Sequence, residues 1–193
     1  HLHALFAAAE SAGVWVVVDE SFIEYCDALT CLPQRHRYSR LIILRSFTKF
    51  YGLPGLRIGY SVSSSVVADS LRQHQPPWSV NALAQRAAEA AMEDAPHSRR
   101  CLLYVARERA RMAAQLSSLD GLTVIPSSAN FLLIELPRPF RARAVTAELR
   151  QQGLLIRDCS SLEGCTLRMI RIALRAKPDN NRLLAALGAI LRQ

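Results

Sequence analysis

Paired cysteines, lysines and aromatic side chains are all scarce in this sequence, and each shortage weighs against a class of protein. The five cysteines, Cys26, Cys31, Cys101, Cys159 and Cys165, are odd in number and form no Cys-x-x-Cys pair. That argues against a disulfide framework and a zinc site, and makes a reducing cytoplasm the simpler setting. Lysine occurs twice among 24 basic residues, as Lys49 and Lys177, so arginine carries the net charge of +8, with no run longer than Arg99-Arg100. Dispersed arginine with 7% aromatics is unlike the basic, aromatic-laced stripe of a nucleic-acid reader, and the positive balance also suits an acidic membrane surface or an enzyme for anionic small molecules. No window approaches the ~18 uncharged apolar residues of a membrane span. Nor does the chain open on a methionine or a signal peptide: His1-Leu2-His3 reads as mid-helix, the start of a fragment whose N-terminal portion is absent.

What is present is half apolar and 21% charged, the balance of a globular protein. A helix over residues 1–12 is closed by Gly13. Val14 to Asp19 and Leu41 to Arg45 are apolar, β-branched runs without alternation, the pattern of strands buried on both faces of a parallel sheet. They end on Asp19-Glu20 and on Ser46, where open α/β sheets place ligands. A third stretch covers Ile58 to Val62, and Ser64 to Gln73 reads as helix. Helices are expected over Asn81 to Asp94 and Ser98 to Leu119, broken at Ala95-Pro96. Beyond Gly121 the pattern is strand (123–125), strand (131–136), helix (141–152), strand (154–157), strand (169–174) and helix from Pro178, taken as its first residue. The fold class is therefore α/β: a mostly parallel sheet with helices, followed by a small α+β C-terminal domain. The boundaries are 1–95, a connecting helix at 96–120, and 121–193.

The segment with chemistry in it is Ser46-Phe47-Thr48-Lys49, followed by a Gly/Pro turn and Arg57-Ile58-Gly59-Tyr60. Taken alone, Ser-x-x-Lys reads first as an ordinary loop lysine, and the same spelling occurs in serine hydrolases. Its company is more specific: Asp19 ends a strand 30 residues before Lys49, and Arg57 follows eight residues after it. In this the sequence resembles the fold-type I pyridoxal-phosphate enzymes, the class I/II aminotransferase superfamily. The stretches VVVDESFIEY, SFTKFYGLPGLRIGY, QPPWSVNALAQRAAEAAMED, SSANFLLIEL, GLLIRDCSSLEGC and MIRIALR resemble its histidinol-phosphate aminotransferase branch and, within it, the threonine-phosphate decarboxylases of cobalamin biosynthesis.

The resemblance implies a homodimeric enzyme with pyridoxal 5'-phosphate as cofactor and a small phosphorylated amino acid as substrate. Lys49 would be the catalytic amine, bonded to the cofactor aldehyde, and would need a desolvated setting to shed its proton. Asp19 would hold the pyridine nitrogen protonated, and Ser46 and Arg57 would grip the phosphate. Phe22 stands where many relatives carry a tyrosine that donates to the cofactor's ring oxygen, a bond phenylalanine cannot make, with Tyr25 as a substitute donor. Arg171 would take the substrate carboxylate and Arg157 a second anionic group, with Asn130 near the substrate. Surface arginines and a turn asparagine are the plain alternatives. Trp78 reads either as core or as a partner contact, with Asn81 beside it. The reaction expected is decarboxylation of L-threonine O-3-phosphate to (R)-1-aminopropan-2-ol O-2-phosphate. The alternatives are transamination, or a basic scaffold that has lost catalysis. The family's N-terminal phosphate loop and stacking aromatic are not found, so the chain alone is expected to be poorly active.

Overall fold

The computed structural model describes residues 2–192, which form two compact units divided between Arg99 and Arg100. In the first unit, α1 (Leu2–Ser11) buries Phe6 and Ala9. Its end is a Schellman cap: Val14 N–H donates to Ala9 C=O at 2.8 Å and Gly13 N–H to Glu10 C=O at 3.1 Å. Gly13 takes the φ of +69° that this turn requires and that a side chain resists.

The chain then runs into β1 (Val16–Asp19), which pairs in parallel with β2 (Leu41–Ser46); β2 pairs antiparallel with β3 (Gly59–Val62). Val16, Val18, Leu41, Ile43 and Val62 pack with Phe6, Cys31, Leu32 and Tyr38 on one face. The other face is open, with Val17 57% and Leu44 39% exposed. The strands are therefore not buried on both faces as their composition predicts, because α1 and its neighbours cover only one side. Two short 3₁₀ stretches, Ile23–Leu29 and Leu32–Gln34, make the connection from β1 to β2. After β3 come α2 (Ser65–His74) and α3 (Ala82–Glu93), the latter capped by Asn81, whose side chain accepts from Ala84 N–H at 2.8 Å. Asn81 thus has a local task. Trp78 is 97% exposed with φ +55°, so core packing does not account for it.

Helix α4 (Ala95–Ser117) begins earlier than expected. Asp94 ends α3 and also caps α4, its Oδ1 accepting from His97 N–H at 2.9 Å. Pro96 thereby falls in a first turn, where its missing N–H is not needed. The second unit continues with β4 (Thr123–Ile125), β5 (Phe131–Glu135), α5 (Ala142–Gln151), β6 (Arg157–Asp158), β7 (Met169–Ala173) and α6 (Lys177–Ile190). The sheet runs β4-β5-β7-β6, every pair antiparallel. Leu132, Ile134, Ile170 and Ile172 point into a core shared with Met112, Leu116, Leu149 and Leu187. The strand expected at 154–157 lies instead at Arg157–Asp158, and Leu154 N–H is committed to the end of α5, donating to Leu149 C=O at 2.9 Å. Pro178 is the second residue of α6 rather than the first, since Ala176 is the cap.

One buried polar group ties this core together. Glu108 of α4, 5% exposed, accepts from Arg111 and from Asn180 Nδ2 at 2.8 Å, and Asn180 also binds both the N–H and the C=O of Arg175. The Arg111 hydrogen bond, with help from Asn180 and against the burial penalty, holds the Glu108 carboxyl below the ordinary glutamate range. A carboxyl with a depressed folded-state pKa adds stability above its unfolded value and loses it as pH falls through the folded value. Glu108→Gln should therefore cost about 1.5–3 kcal/mol at pH 7. Urea denaturation should find that difference shrinking as the pH drops below the ordinary value of 4.5. Ile134→Ala, which empties a fully buried position, should cost about 2–5 kcal/mol in the same assay.

Candidate active site

The carboxyl ends of β1 and β2 bring the chemistry of the first unit together. Successive strand residues alternate faces, and Asp19 stands opposite Leu44, so Asp19 and Ser46 share the open face while Glu20 and Arg45 point to the other. The Ser46 hydroxyl lies 2.7 Å from the Thr48 hydroxyl and accepts from Thr48 N–H at 3.2 Å, turning the chain sharply as the strand ends. Phe47 and Phe50 are buried on either side of Thr48 and Lys49, and their rings pack on Tyr51 with centroids 5.0 Å apart. The two phenylalanines fix the base of Lys49, whose Nζ lies 5.2 Å from the centre of the Phe22 ring. The ring of Tyr25 meets Phe50 edge-on at 5.4 Å.

Ser46, Lys49 and Arg57 line one open cleft of about 560 Å³, together with Ser21, Arg45 and Thr48. Asp19 stands at its margin. Its Oδ1 accepts from Ser21 N–H at 2.8 Å, and the Ser21 hydrogen bonds, with the Lys49 charge nearby, hold its carboxyl below the usual aspartate range. Asp19 is thus an anion at neutral pH. Arg57 adopts φ +52°, a left-handed conformation that a side chain resists, and its Nη1 donates to Pro54 C=O at 3.1 Å. Two residues on, Gly59 lies so close to β2 that a Cβ there would sit 2.6 Å from Arg45 C=O. Strain and close approach coincide at the cleft wall, a pairing typical of functional sites. Lys49 is exposed, with the Phe22 ring beside its amine.

The remaining predicted residues lie in the second unit. Arg157 of β6 stands directly opposite Arg171 of β7, both exposed on the face away from the core. Arg171 is mid-strand, with its guanidinium 5.0 Å above the Phe131 ring. Asn130 enters β5, and its C=O accepts from Leu174 N–H at 2.8 Å. Sequence reasoning did not single out Thr48, Ser21, Arg45 or Gly59. Thr48 and Ser21 carry the signal that could have found them, a hydroxyl residue two positions past a strand-end polar residue.

An exposed amine, hydroxyls and a guanidinium share one cleft, and the ionised Asp19 is hydrogen-bonded to Ser21 in its lining, a donor set that suits an anionic ligand. Three comparisons bear on this. The family model described as "Aminotransferase class I and II" matches residues 1–190. Threonine-phosphate decarboxylase of Salmonella typhimurium is 38% identical over 98% of this chain and 52% of its own length. Histidinol-phosphate aminotransferase 2 of Archaeoglobus fulgidus is 35% identical over 94% and 51%. Among solved structures, histidinol-phosphate aminotransferase of Clostridium acetobutylicum superposes with a TM-score of 0.93 at 27% identity, over 99% of this chain and 58% of that one. The Sinorhizobium meliloti enzyme of the same name, solved in complex with pyridoxal-5'-phosphate, gives 0.86 at 27% identity over 98% and 53%. The chain spans about half the length of the curated relatives it matches.

The geometry around Arg57 generates a paired expectation. Arg57→Gly removes the side chain and its strain together, so the variant should be at least as stable as wild type in urea while binding inorganic phosphate more weakly. Gly59→Ala should instead cost about 1–3 kcal/mol, because backbone rather than a flexible side chain must give way.

Proposed function

Because the chain belongs to the class I and II aminotransferase family, we propose that its first unit binds pyridoxal 5'-phosphate and that it serves the decarboxylation of L-threonine O-3-phosphate to (R)-1-aminopropan-2-ol O-2-phosphate in cobalamin biosynthesis. The observation that carries the reading is the single cleft lined by Ser46, Lys49 and Arg57 with the ionised Asp19 at its margin. Ser46, Thr48 and Arg57 hold the phosphate, Arg57 as a planar two-pronged donor. Asp19 accepts a hydrogen bond from the ring nitrogen and keeps it protonated. Bound there, the cofactor supplies an electron sink for the bond broken at the substrate Cα. Lys49 Nζ would be the amine that holds the cofactor at rest and, once freed by substrate, would carry the proton that replaces carbon dioxide on Cα. The apolar Phe22 ring beside Nζ offers no donor to the ring oxygen, which suits a reaction other than proton shuttling between amino and keto acids.

Arg171 takes the substrate carboxylate and Arg157 its phosphate. Opposed residues on neighbouring strands lie about 5 Å apart at Cβ, close enough to grip two anionic groups of one small molecule. The arginine-rich composition then draws phosphorylated substrate toward the protein. The favoured setting is a cytoplasmic homodimer. All five thiols are free, Trp78 is available to a partner, and among the described residues no helix is long and apolar enough to cross a membrane. A histidinol-phosphate type aminotransferase is the second reading, favoured by the Archaeoglobus and Clostridium relatives.

The two lysines provide a built-in test, since both are exposed and only Lys49 lies in the cleft. After incubation with pyridoxal phosphate, borohydride reduction and peptide mapping should put the pyridoxyl group on Lys49 in large excess over Lys177. Equal labelling would sink the cofactor assignment. Carbon dioxide released from L-threonine O-3-phosphate supports the lyase, whereas consumption of 2-oxoglutarate in step with substrate supports the transaminase. Arg171→Ala should weaken binding of the phosphorylated amino acid about tenfold to a hundredfold by calorimetry.

A further inference from the structure

Directly behind the cleft wall, Glu20 and Arg45 form an ion pair almost closed to solvent, with side chains 3% and 9% exposed. Arg45 Nε and Nη2 each approach Glu20 Oε2 at 3.0 Å. The same carboxylate accepts from the Thr30 hydroxyl at 2.9 Å and from Cys31 N–H at 2.5 Å. Arg45 Nη2 donates to Thr30 Oγ1 at 2.8 Å, and Asp27 stands 3.9 Å away at the exposed rim. Every member of this group is satisfied. Charge taken out of water is nonetheless costly, and well-packed apolar residues often serve a fold equally well, so stability alone is a weak account of it.

Its connections suggest a better one. The chain leaves β1 at Glu20 and comes back to the Glu20 carboxylate at Thr30 and Cys31, before it enters β2 at Leu41, so one carboxylate holds both ends of the 21–29 loop, the first by covalent continuity and the second by hydrogen bonds. That loop carries Ser21, which lines the cleft and donates to Asp19 Oδ1 at 2.8 Å, and Phe22, whose ring faces Lys49 Nζ. Arg45 also lines the cleft and is the chain neighbour of Ser46.

We propose that Glu20, Arg45 and Thr30 are positioning residues: together they close the 21–29 loop, so that Ser21 orients the Asp19 carboxylate and Phe22 stays against the Lys49 amine. The proposal rests on the cofactor reading above. None of the three need touch the cofactor; they act through Ser21, Phe22 and Asp19. A catalytic arrangement held this way tolerates little displacement, since small errors in placement are expensive in rate.

The test uses the whole chain and two readouts: the Lys49 to Lys177 pyridoxyl labelling ratio, and hydrogen–deuterium exchange of the 21–29 amides. Thr30→Val keeps the side-chain shape and loses the bridging hydroxyl, whereas Thr30→Ser keeps the hydroxyl. Thr30→Val should speed exchange in the loop and lower the labelling ratio about fivefold, the factor carried by one lost hydrogen bond, while Thr30→Ser stays at wild type. Glu20→Gln, which removes the charge but not the shape, should lower the ratio roughly tenfold and serves if Thr30→Val does not fold. A loop that exchanges faster while the ratio holds overturns the proposal, as does Thr30→Ser behaving like Thr30→Val. Wild-type chain labelled equally on both lysines brings down the cofactor reading and this proposal with it. A wild-type preference for Lys49 that survives in the variants brings down the positioning role alone.

Discussion

The cleft depends on the parallel register of β1 against β2. That pairing sets Val16 opposite Leu41 and Asp19 opposite Leu44. With side chains alternating along each strand, Asp19 and Ser46 must then emerge on the open face and Glu20 and Arg45 on the covered one. A slip of one residue would exchange the pairs, moving the ionised carboxylate to the core side and the buried ion pair to solvent. Burial of Val18, Leu41 and Ile43 against Phe6 opposes that slip, so the small core of the first unit is what aims the cleft.

The second unit follows the same rule in antiparallel form. Alternation along β5 and β7 sends Leu132, Ile134, Ile170 and Ile172 inward, and the register of β6 against β7 leaves Arg157 and Arg171 as neighbours on the outer face. Two cations so placed repel one another, and Arg171 finds partial relief over the Phe131 ring. Anions gain from both charges at once, which is why the pair suits a ligand bearing two negative groups better than either arginine would alone.

The strand ends and their polar residues were legible because an apolar β-branched run closing on Asp or Ser has few other readings. The spacing of Asp19, Ser46, Lys49 and Arg57 was legible only through its resemblance to a known family's motif. Hidden were the features made by backbone geometry: the left-handed Arg57, the close approach at Gly59, and Leu154 serving a helix cap where its apolar neighbours suggested a strand. The composition of β1 also misled. Val17 looks like a residue buried on two sides, yet its face is open, since burial is settled by what packs on a strand and not by the strand's own residues.

Residue order thus establishes an α/β chain and the strand termini that bear polar groups, and its resemblance to a known family implies that the spacing of an amine, a carboxylate and a guanidinium serves one phosphorylated cofactor. Only the folded chain decides that Ser46, Lys49 and Arg57 share a cleft, that Glu20 faces Arg45 across 25 residues of sequence, and that Arg157 lies beside Arg171. The reason is physical. Strand ends and turns answer to forces among near neighbours in the chain, whereas register, face and burial are set by contacts between residues that the chain itself keeps far apart.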